Sequence, residues 1–232
     1  PYANVGIVEA RGFDGNFSFR HKIDKVDLTI RGNMTYSKNE ILERDEENTI
    51  YWYKMQEGHR VNQAMGLVAL GLFKDYEEIR NWPKQFGDVM PGDIKYKDIN
   101  GDGQITETDM VPIGYPTSPE IIYGFGFSAG YKGFDLSCFF QGSARSSFWI
   151  DPENTAPFIG NQRTLLKAYA DDHWSEENRN LYALWPRLAN QSVENNNQTS
   201  TWFMQDATFL RLKSVEIGYT CLLYTSPSPR DA

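Results

Sequence analysis

The sequence predicts an all-β chain in which antiparallel strands form part of a transmembrane β-barrel. Three observations lead to this fold class. Apolar and polar residues alternate over stretches of about ten residues, which is the period of a strand with one apolar face. Aromatic residues make up 14% of the chain, and 19 glycines are present. Short turns and long polar segments follow one another, an asymmetry typical of barrels in outer membranes.

The first pair of alternating segments covers residues 5–21 and 26–37, joined by a short turn around residues 23–25. The second segment alternates regularly, with apolar residues at Val26, Leu28, Ile30, Met34 and Tyr36. Because successive side chains of a strand point to opposite faces, the polar residues between them share the other face. The two segments are therefore predicted to form an antiparallel pair.

A second pair of strands is predicted at residues 119–131 and 133–142. One face of its first strand carries a row of aromatic rings, Tyr123, Phe125 and Phe127. Phe139 breaks the alternation of the second strand. A further strand is predicted at 208–219, with an apolar row at Val215, Ile217 and Tyr219.

The polar segments favour a membrane barrel over a soluble sandwich. They occupy residues 38–50, 74–118 and 150–201, the last with a short helical signal at 164–170. Loops longer than about 15 residues are uncommon in compact soluble domains. A partial barrel with long extracellular loops and short helices within them fits this pattern. A soluble β-sandwich stays open as the alternative, and its apolar face would be a dry core.

The turns predict an orientation for the strands. If the turn at Lys132 and Gly133 faces the periplasm, the strand before it runs inward from the cell surface. The segments 93–118 and 150–201 then lie outside the cell, and the turn at 22–26 is periplasmic.

Composition excludes one class of partner. The net charge is −8 and the basic residues are not clustered, so the chain lacks the electrostatic footprint of nucleic-acid binding. No run of about 18 apolar residues occurs, so no transmembrane helix is predicted. The two cysteines, Cys138 and Cys221, do not make a disulfide framework.

The sharpest motif is a calcium-type loop at residues 98–109. Calcium takes about six to eight oxygen ligands, which loops of the EF-hand type supply from fixed positions. The predicted ligands are Asp98, Asn100, Asp102, Gln104, Thr106 and Asp109. Gly103 permits the sharp reversal of the loop, and Asp109 stands where a longer glutamate is usual, which weakens the expected hold on the ion. An Asp- and Asn-rich turn without an ion is the alternative.

Residues with catalytic chemistry do not form a recognisable pattern. The histidines His21, His59 and His173 have no metal-binding spacing, and no nucleotide-binding or nucleophile motif occurs. We therefore predict that the chain is not an enzyme. A glycoside hydrolase fragment is the weakest alternative, since its paired carboxylates are recognised only in space.

The six tryptophans are predicted to pack loops together or to form an aromatic girdle, rather than to stack on sugar rings. Trp149 and Trp202 lie at predicted strand–loop boundaries, which favours the girdle for these two.

Four blocks of sequence carry a family resemblance. They are EGHRVNQ at 57–63 with GLF at 71–73 and YEEI at 76–79; PGDIKYKD at 91–98; YGF at 123–125 with YKGFDL at 131–136 and FQG at 140–142; and FLRLKSVEIGYT at 209–220. In this order they resemble the SusC/RagA-like family of TonB-dependent outer-membrane transporters, over residues 5–220.

The resemblance implies a barrel of about 22 strands with a plugged lumen, of which residues 1–220 are the C-terminal part. It implies a place in the outer membrane of a Gram-negative bacterium and import of glycan or peptide fragments. A SusD-like surface lipoprotein would be the partner, and TonB would supply energy through a plug and a TonB box N-terminal to this sequence. A soluble, secreted β-domain that binds carbohydrate beside a calcium loop is the alternative.

The last twelve residues depart from the family pattern. Alternation stops after Thr220, and Pro227 and Pro229 are not tolerated in a central strand. Residues 221–232 are therefore predicted to be a non-native tail, and Cys221 is not expected to pair with Cys138.

Overall fold

A computed structural model describes residues 6–46, 50–159 and 163–220 of the protein. Its strands are β1 (Gly6–Ile23), β2 (Val26–Arg44), β3 (Met65–Gly66), β4 (Ala69–Leu72), β5 (Ile94–Tyr96), β6 (Val111–Pro112), β7 (Ile121–Tyr131), β8 (Phe134–Ala144), β9 (Ser147–Trp149), β10 (Met204–Asp206) and β11 (Phe209–Tyr219). Its α-helices are α1 (Tyr76–Arg80), α2 (Pro152–Thr155) and α3 (Lys167–Asp171). The predicted all-β class with short helices is confirmed. The predicted tail at 221–232 lies outside the described residues.

The chain divides into two compact units. Among the described residues, the sheet unit comprises 10–38, 118–146 and 207–220. The loop unit comprises the described residues within 6–9, 39–117 and 147–206. All three α-helices belong to the loop unit, and none of the helices in the described ranges is long and apolar enough to cross a membrane.

The sheet unit is one antiparallel sheet with the strand order β1-β2-β7-β8-β11. Lys132 and Gly133 connect β7 to β8 with φ angles of 47° and 86°, the backbone of a type I′ turn. This turn type twists in the same sense as the strands, so two residues suffice to connect them. The predicted turn at this position is confirmed, as is the turn between β1 and β2, where Asp24 has a φ of 52°.

One face of this sheet, termed the apolar face, is hydrophobic across all five strands. Register places Ile30 beside Phe127, Phe127 beside Cys138, and Cys138 beside Val215. Its exposed side chains include Phe17, Phe19, Ile30, Phe125, Phe127, Leu136, Val215 and Ile217. Phe125 is 42% exposed and Phe127 is 43% exposed. These rings therefore do not lie in a dry core formed by the described residues.

Strand β11 changes its alternation at a β-bulge. The register shifts between Leu212 and Ser214, so Lys213 has no register partner on β8. Because a bulge adds one residue, it exchanges the faces that odd and even positions occupy. Leu212 therefore lies on the apolar face together with Val215, three residues further along. The alternation predicted for this strand did not include the exchange.

The opposite side of the sheet, termed the polar face, carries polar side chains and glycines. Phe139, which broke the predicted alternation, lies on this face above Gly124 and Gly126. A Cβ atom at either glycine would come within 2.7 Å of the Phe139 ring. The glycines therefore provide the space in which this ring lies.

The loop unit has a buried core of its own. Its members are Leu67, Leu72, Ile94, Tyr96, Ile105, Tyr169, Trp174, Ala183, Trp185 and Phe203. Trp149 and Trp202 pack against this core, where the sequence had favoured a membrane girdle. The long polar segments are thus packed structure, because their sparse apolar residues, far apart in sequence, meet in one cluster.

Candidate functional site

The predicted calcium loop lies in the loop unit between β5 and β6, and side-chain-to-backbone hydrogen bonds shape its first half. The Asp98 carboxylate accepts the backbone N–H of Gly101 at 2.7 Å and that of Gly103 at 2.9 Å. Asp102 likewise accepts the N–H of Gln104 at 2.8 Å. Gly101 and Gly103 have φ angles of 75° and 82°, which glycine adopts at little cost. The result is a tight turn lined by two carboxylates.

Asp109 has a role that the sequence did not reveal. Its side chain is fully buried, and it accepts the backbone N–H groups of Ile99 at 2.8 Å, Asn100 at 3.3 Å and Thr106 at 2.9 Å. With Thr106 it forms a capping box on a short 3-10 helix, Glu107–Asp109. Asp109 therefore ties the end of the loop to its beginning.

The other predicted ligands are joined through a residue that the prediction omitted, Thr108. The Asn100 amide donates to Asp102 at 2.9 Å and to the Thr108 hydroxyl at 3.0 Å, and that hydroxyl lies 2.6 Å from the Thr106 hydroxyl. Gln104 forms a β-bridge with Lys84. Among the residues that the structure describes, no three carboxylate, imidazole or thiolate side chains converge as a metal site. Calcium binding therefore stays a prediction.

Two side chains from the segment 51–54 hold the second half of the loop. The Tyr53 hydroxyl donates to the carbonyl of Thr108 at 2.8 Å, and the Lys54 ammonium donates to that of Glu107 at 3.0 Å. Desolvation raises the pKa of Tyr53, and the nearby Asp109 carboxylate raises it further. The hydroxyl therefore remains protonated and keeps its role as a donor.

A second polar cluster in the loop unit centres on Asp93, which is 0% exposed. Its carboxylate accepts the N–H of Met90 at 2.8 Å and the amide of Asn196 at 2.8 Å. The Arg187 Nε atom lies 2.8 Å from the same carboxylate, but its N–H is not aligned with it, so the contact is an ion pair. Burial raises the pKa of Asp93, while the Met90 hydrogen bond and Arg187 act in the opposite direction. The cluster stabilises the fold.

Aromatic rings gather at both ends of the apolar face. Near the turns, Tyr131, Phe134 and Tyr219 are exposed, and the last two rings have centroids 4.5 Å apart. At the other end, the rings of Phe13 and Tyr36 have centroids 5.7 Å apart. Aromatic rings on either side of an apolar band are the arrangement that the two water–membrane interfaces favour. The sequence predicts this girdle at Trp149 and Trp202 instead.

Comparison with known proteins gives relatives of one kind. No known family profile matches the chain. TonB-dependent receptors P26, P3 and P39 of Formosa agariphila are 28%, 25% and 24% identical over 227, 231 and 262 residues. These alignments cover 93%, 93% and 94% of this chain but 22%, 22% and 24% of the relatives. The chain thus spans less than a quarter of the length of these receptors.

Solved structures agree with these relatives. The RagAB peptide transporter matches with a TM-score of 0.65 at 20% identity, over 94% of this chain and 23% of that chain. In sequence and in fold, the chain is similar to a segment of a SusC/RagA-like TonB-dependent receptor. A second structure, the RagAB peptide importer in its closed-closed state, matches this chain with a TM-score of 0.62 at 21% identity. The open antiparallel sheet accordingly has the fold of a β-barrel segment, as predicted.

Proposed function

We propose that this receptor segment forms part of an outer-membrane importer, with its apolar face toward lipid and its polar face toward the lumen. The exposed apolar face with aromatic rings at both ends carries the proposal. Strand β7 has 11 residues. Such a strand rises about 33 Å and, tilted by about 40°, spans about 25 Å, the height of the apolar band of outer-membrane barrels.

The relatives support a proposal for the solute, the energy source and the partner. We propose import of peptide or glycan fragments, driven by TonB, with a SusD-like surface lipoprotein as partner, in the outer membrane of a Gram-negative bacterium. The loop unit, with segments 93–118 and 150–201, would face outward. Trp52 and Tyr182, both 79% exposed, would then be available to a partner or a solute. In this proposal the segment binds and passes the solute without altering it.

A pair of neighbouring substitutions tests the lipid assignment in the full-length receptor. Phe127→Arg places a charge on the apolar face and should cost about 2–4 kcal/mol near the membrane midplane. Ser128→Arg places the same charge on the polar face and should be tolerated. The fraction of heat-resistant, folded barrel in outer-membrane preparations measures both. Equal tolerance of the two changes, or recovery of the receptor in the soluble fraction, would contradict the proposal and favour the secreted β-domain.

Dependence on TonB and on the lipoprotein is measured separately. Cells that express the receptor should take up labelled peptide or glycan fragments, and deletion of TonB should abolish this uptake. A SusD-like lipoprotein encoded beside the receptor should copurify with it. Uptake that persists without TonB would exclude the proposed energy source.

We also propose that the loop at 98–109 binds one structural Ca²⁺ ion through oxygens of Asp98, Asn100 and Asp102, with Gln104, Thr106 and Asp109 completing the set. A carboxylate or amide oxygen has two lone pairs, and each oxygen of Asp98 accepts one backbone N–H, so acceptor capacity remains for a cation. The ion would offset repulsion between the carboxylates and stiffen the loop.

Calcium binding can be measured with the metal alone. Terbium luminescence, sensitised by the nearby Tyr53, should appear in the purified receptor and be displaced by Ca²⁺. Asp98→Asn should weaken the signal, whereas Asp88→Asn, at an exposed position outside the loop, should not. An unchanged signal in Asp98→Asn would place the ion elsewhere, and no signal in the unaltered receptor would exclude the site.

A further inference from the structure

The polar face of the sheet unit carries an open concavity of about 560 Å³. Side chains that line it belong to four strands and comprise Asn16, Arg31, Asn33, Phe139, Lys213 and Ser214. Because every one of these residues lies on a strand of one hydrogen-bonded sheet, their backbone positions are fixed relative to each other. Rigid placement of this kind is what a binding site requires.

Phe139 and Arg31 form the centre of the concavity. Gly126 pairs with Arg31 on one side and with Phe139 on the other, so no side chain separates the two. The guanidinium carbon of Arg31 accordingly lies 5.2 Å from the centroid of the Phe139 ring, within the range of a cation–π contact. The stacked guanidinium keeps its planar fork of N–H donors for another group.

The β-bulge adds a second cation to the same place. Ser214 pairs with Phe139, and the bulge residue Lys213 precedes it directly. None of the described residues that line the concavity is a carboxylate. Within the described ranges neither Arg31 nor Lys213 forms an ion pair, although the whole chain carries a net charge of −8. Two cations without a protein carboxylate, beside two amides and an aromatic ring, are complementary to an anion with an adjoining apolar surface.

We propose that this concavity is a subsite for a carboxylate group of the imported solute. Arg31 binds the carboxylate with its fork of donors, Lys213 adds a second positive charge, and the Asn33 amide supplies a neutral donor. The Phe139 ring packs against the apolar part of the solute next to its carboxylate. This inference rests on the proposed import function and narrows it to solutes with a carboxylate, because a neutral solute offers these two cations no opposite charge. The carboxylate can belong to an acidic peptide or to a uronic acid sugar.

Binding to the full-length receptor in detergent tests the subsite with two matched pairs of probes. One pair is trigalacturonate and its methyl ester, and the other is a glutamate-containing pentapeptide amide and its glutamine counterpart. The charged member of one pair should bind about tenfold more tightly, the effect expected of one charge-assisted contact. Whichever pair shows the preference identifies the source of the carboxylate.

Substitutions then test whether residues of the concavity cause the tighter binding of the charged probe. Arg31→Gln and Lys213→Gln should each lower affinity for the charged probe about tenfold and leave the neutral probe unchanged. Arg211→Gln is the matched control, because Arg211 donates to Gln141 at 3.2 Å and does not line the concavity. Arg31→Lys keeps the charge and should retain part of the preference, and it replaces Arg31→Gln if that variant does not fold.

Binding measurements test the carboxylate subsite, and uptake measurements test the import function, so the two proposals can fail separately. Absence of a charge preference in the unaltered receptor, or an unchanged preference in the Arg31 and Lys213 variants, overturns the subsite even if TonB-dependent uptake proceeds. A preference that the variants abolish supports the subsite, and uptake that does not require TonB then overturns the import function alone.

Discussion

Replacing Arg187 with glutamine removes the only cation within ion-pair distance of Asp93 among the described residues and leaves a buried carboxylate behind. Asp93 retains two hydrogen-bond donors, from Met90 and Asn196. Glutamine keeps much of the arginine's length, so the change tests charge more than packing. We expect the loop unit to open far more readily in this variant.

The expected loss of stability follows from the burial of the Asp93–Arg187 ion pair. Breaking a buried ion pair by removing one partner costs about 3–5 kcal/mol. Asp93 has no exposed surface, but the Arg187 side chain is 19% exposed and partly screened by water, which favours the lower end. A loss of about 3 kcal/mol corresponds to about a 150-fold increase in the population of the open state.

Hydrogen exchange in the full-length receptor measures this opening. The Ile94 amide donates to the Asn196 side chain at 2.9 Å, so its protection reports directly on the cluster. Arg179→Gln removes an exposed arginine from the same unit and serves as the control. If the Ile94 amide exchanges equally fast in both variants, the ion pair does not stabilise the loop unit and the reasoning is wrong.

The pH dependence of stability gives a second measurement of the role of Asp93. Burial raises the pKa of Asp93, so the folded protein favours the protonated carboxyl. The stability contributed by this group is complete below the unfolded pKa and is lost as the pH rises through the folded pKa. Loss of Arg187 raises the folded pKa further. The deficit of Arg187→Gln should therefore shrink as the pH is lowered from about 7 toward about 4.

Three further outcomes are expected. Deleting Lys213 removes the extra residue of the bulge but leaves Leu212 opposite Phe140 and Ser214 opposite Phe139, so heat-resistant barrel should still form, as it should in Lys213→Ala; its loss in the deletion alone would show that assembly requires the bulge. Asp109→Ala leaves three backbone N–H groups without their acceptor and should destabilise the loop by about 3 kcal/mol, measured as faster proteolysis than in Asp88→Ala. Gly126→Val forces a Cβ against the Phe139 ring and should lower the free energy of unfolding by about 2 kcal/mol, measured by urea unfolding in detergent. An unchanged unfolding midpoint would show that the ring moves aside without cost.

The strands of the sheet could be predicted because each one carries its own period in local sequence. The alternation at 26–37 predicted β2, although that strand continues to Arg44. Its extension was missed because polar residues occupy both faces beyond Tyr36. The bulge in β11 was missed for a different reason, since one extra residue leaves no signal until the partner strand is known.

Long-range roles were not predictable in the loop unit. The asparagine run at 190–200 read as solvated loop, yet the buried Asn195 and Asn196 side chains hydrogen-bond to the backbone of Ile94. These two side chains satisfy the backbone N–H and carbonyl groups of Ile94 in β5, as a neighbouring strand would. Asp109 fitted a metal ligand by residue type and position, and the same carboxylate accepts backbone N–H groups equally well. Residue identity alone does not separate these two uses.

The shared core of the loop unit limits how the receptor can diversify at its surface. Segments around Leu67, Tyr96 and Phe203 bury one another, so a change in the length of one displaces anchors that belong to the others. Sequence changes that alter what this surface binds must therefore be substitutions at exposed loop tips, or coordinated changes in several segments at once. Antibodies raised against linear peptides from these segments should recognise the native receptor poorly, since the surface they meet exists only when distant stretches of chain are assembled.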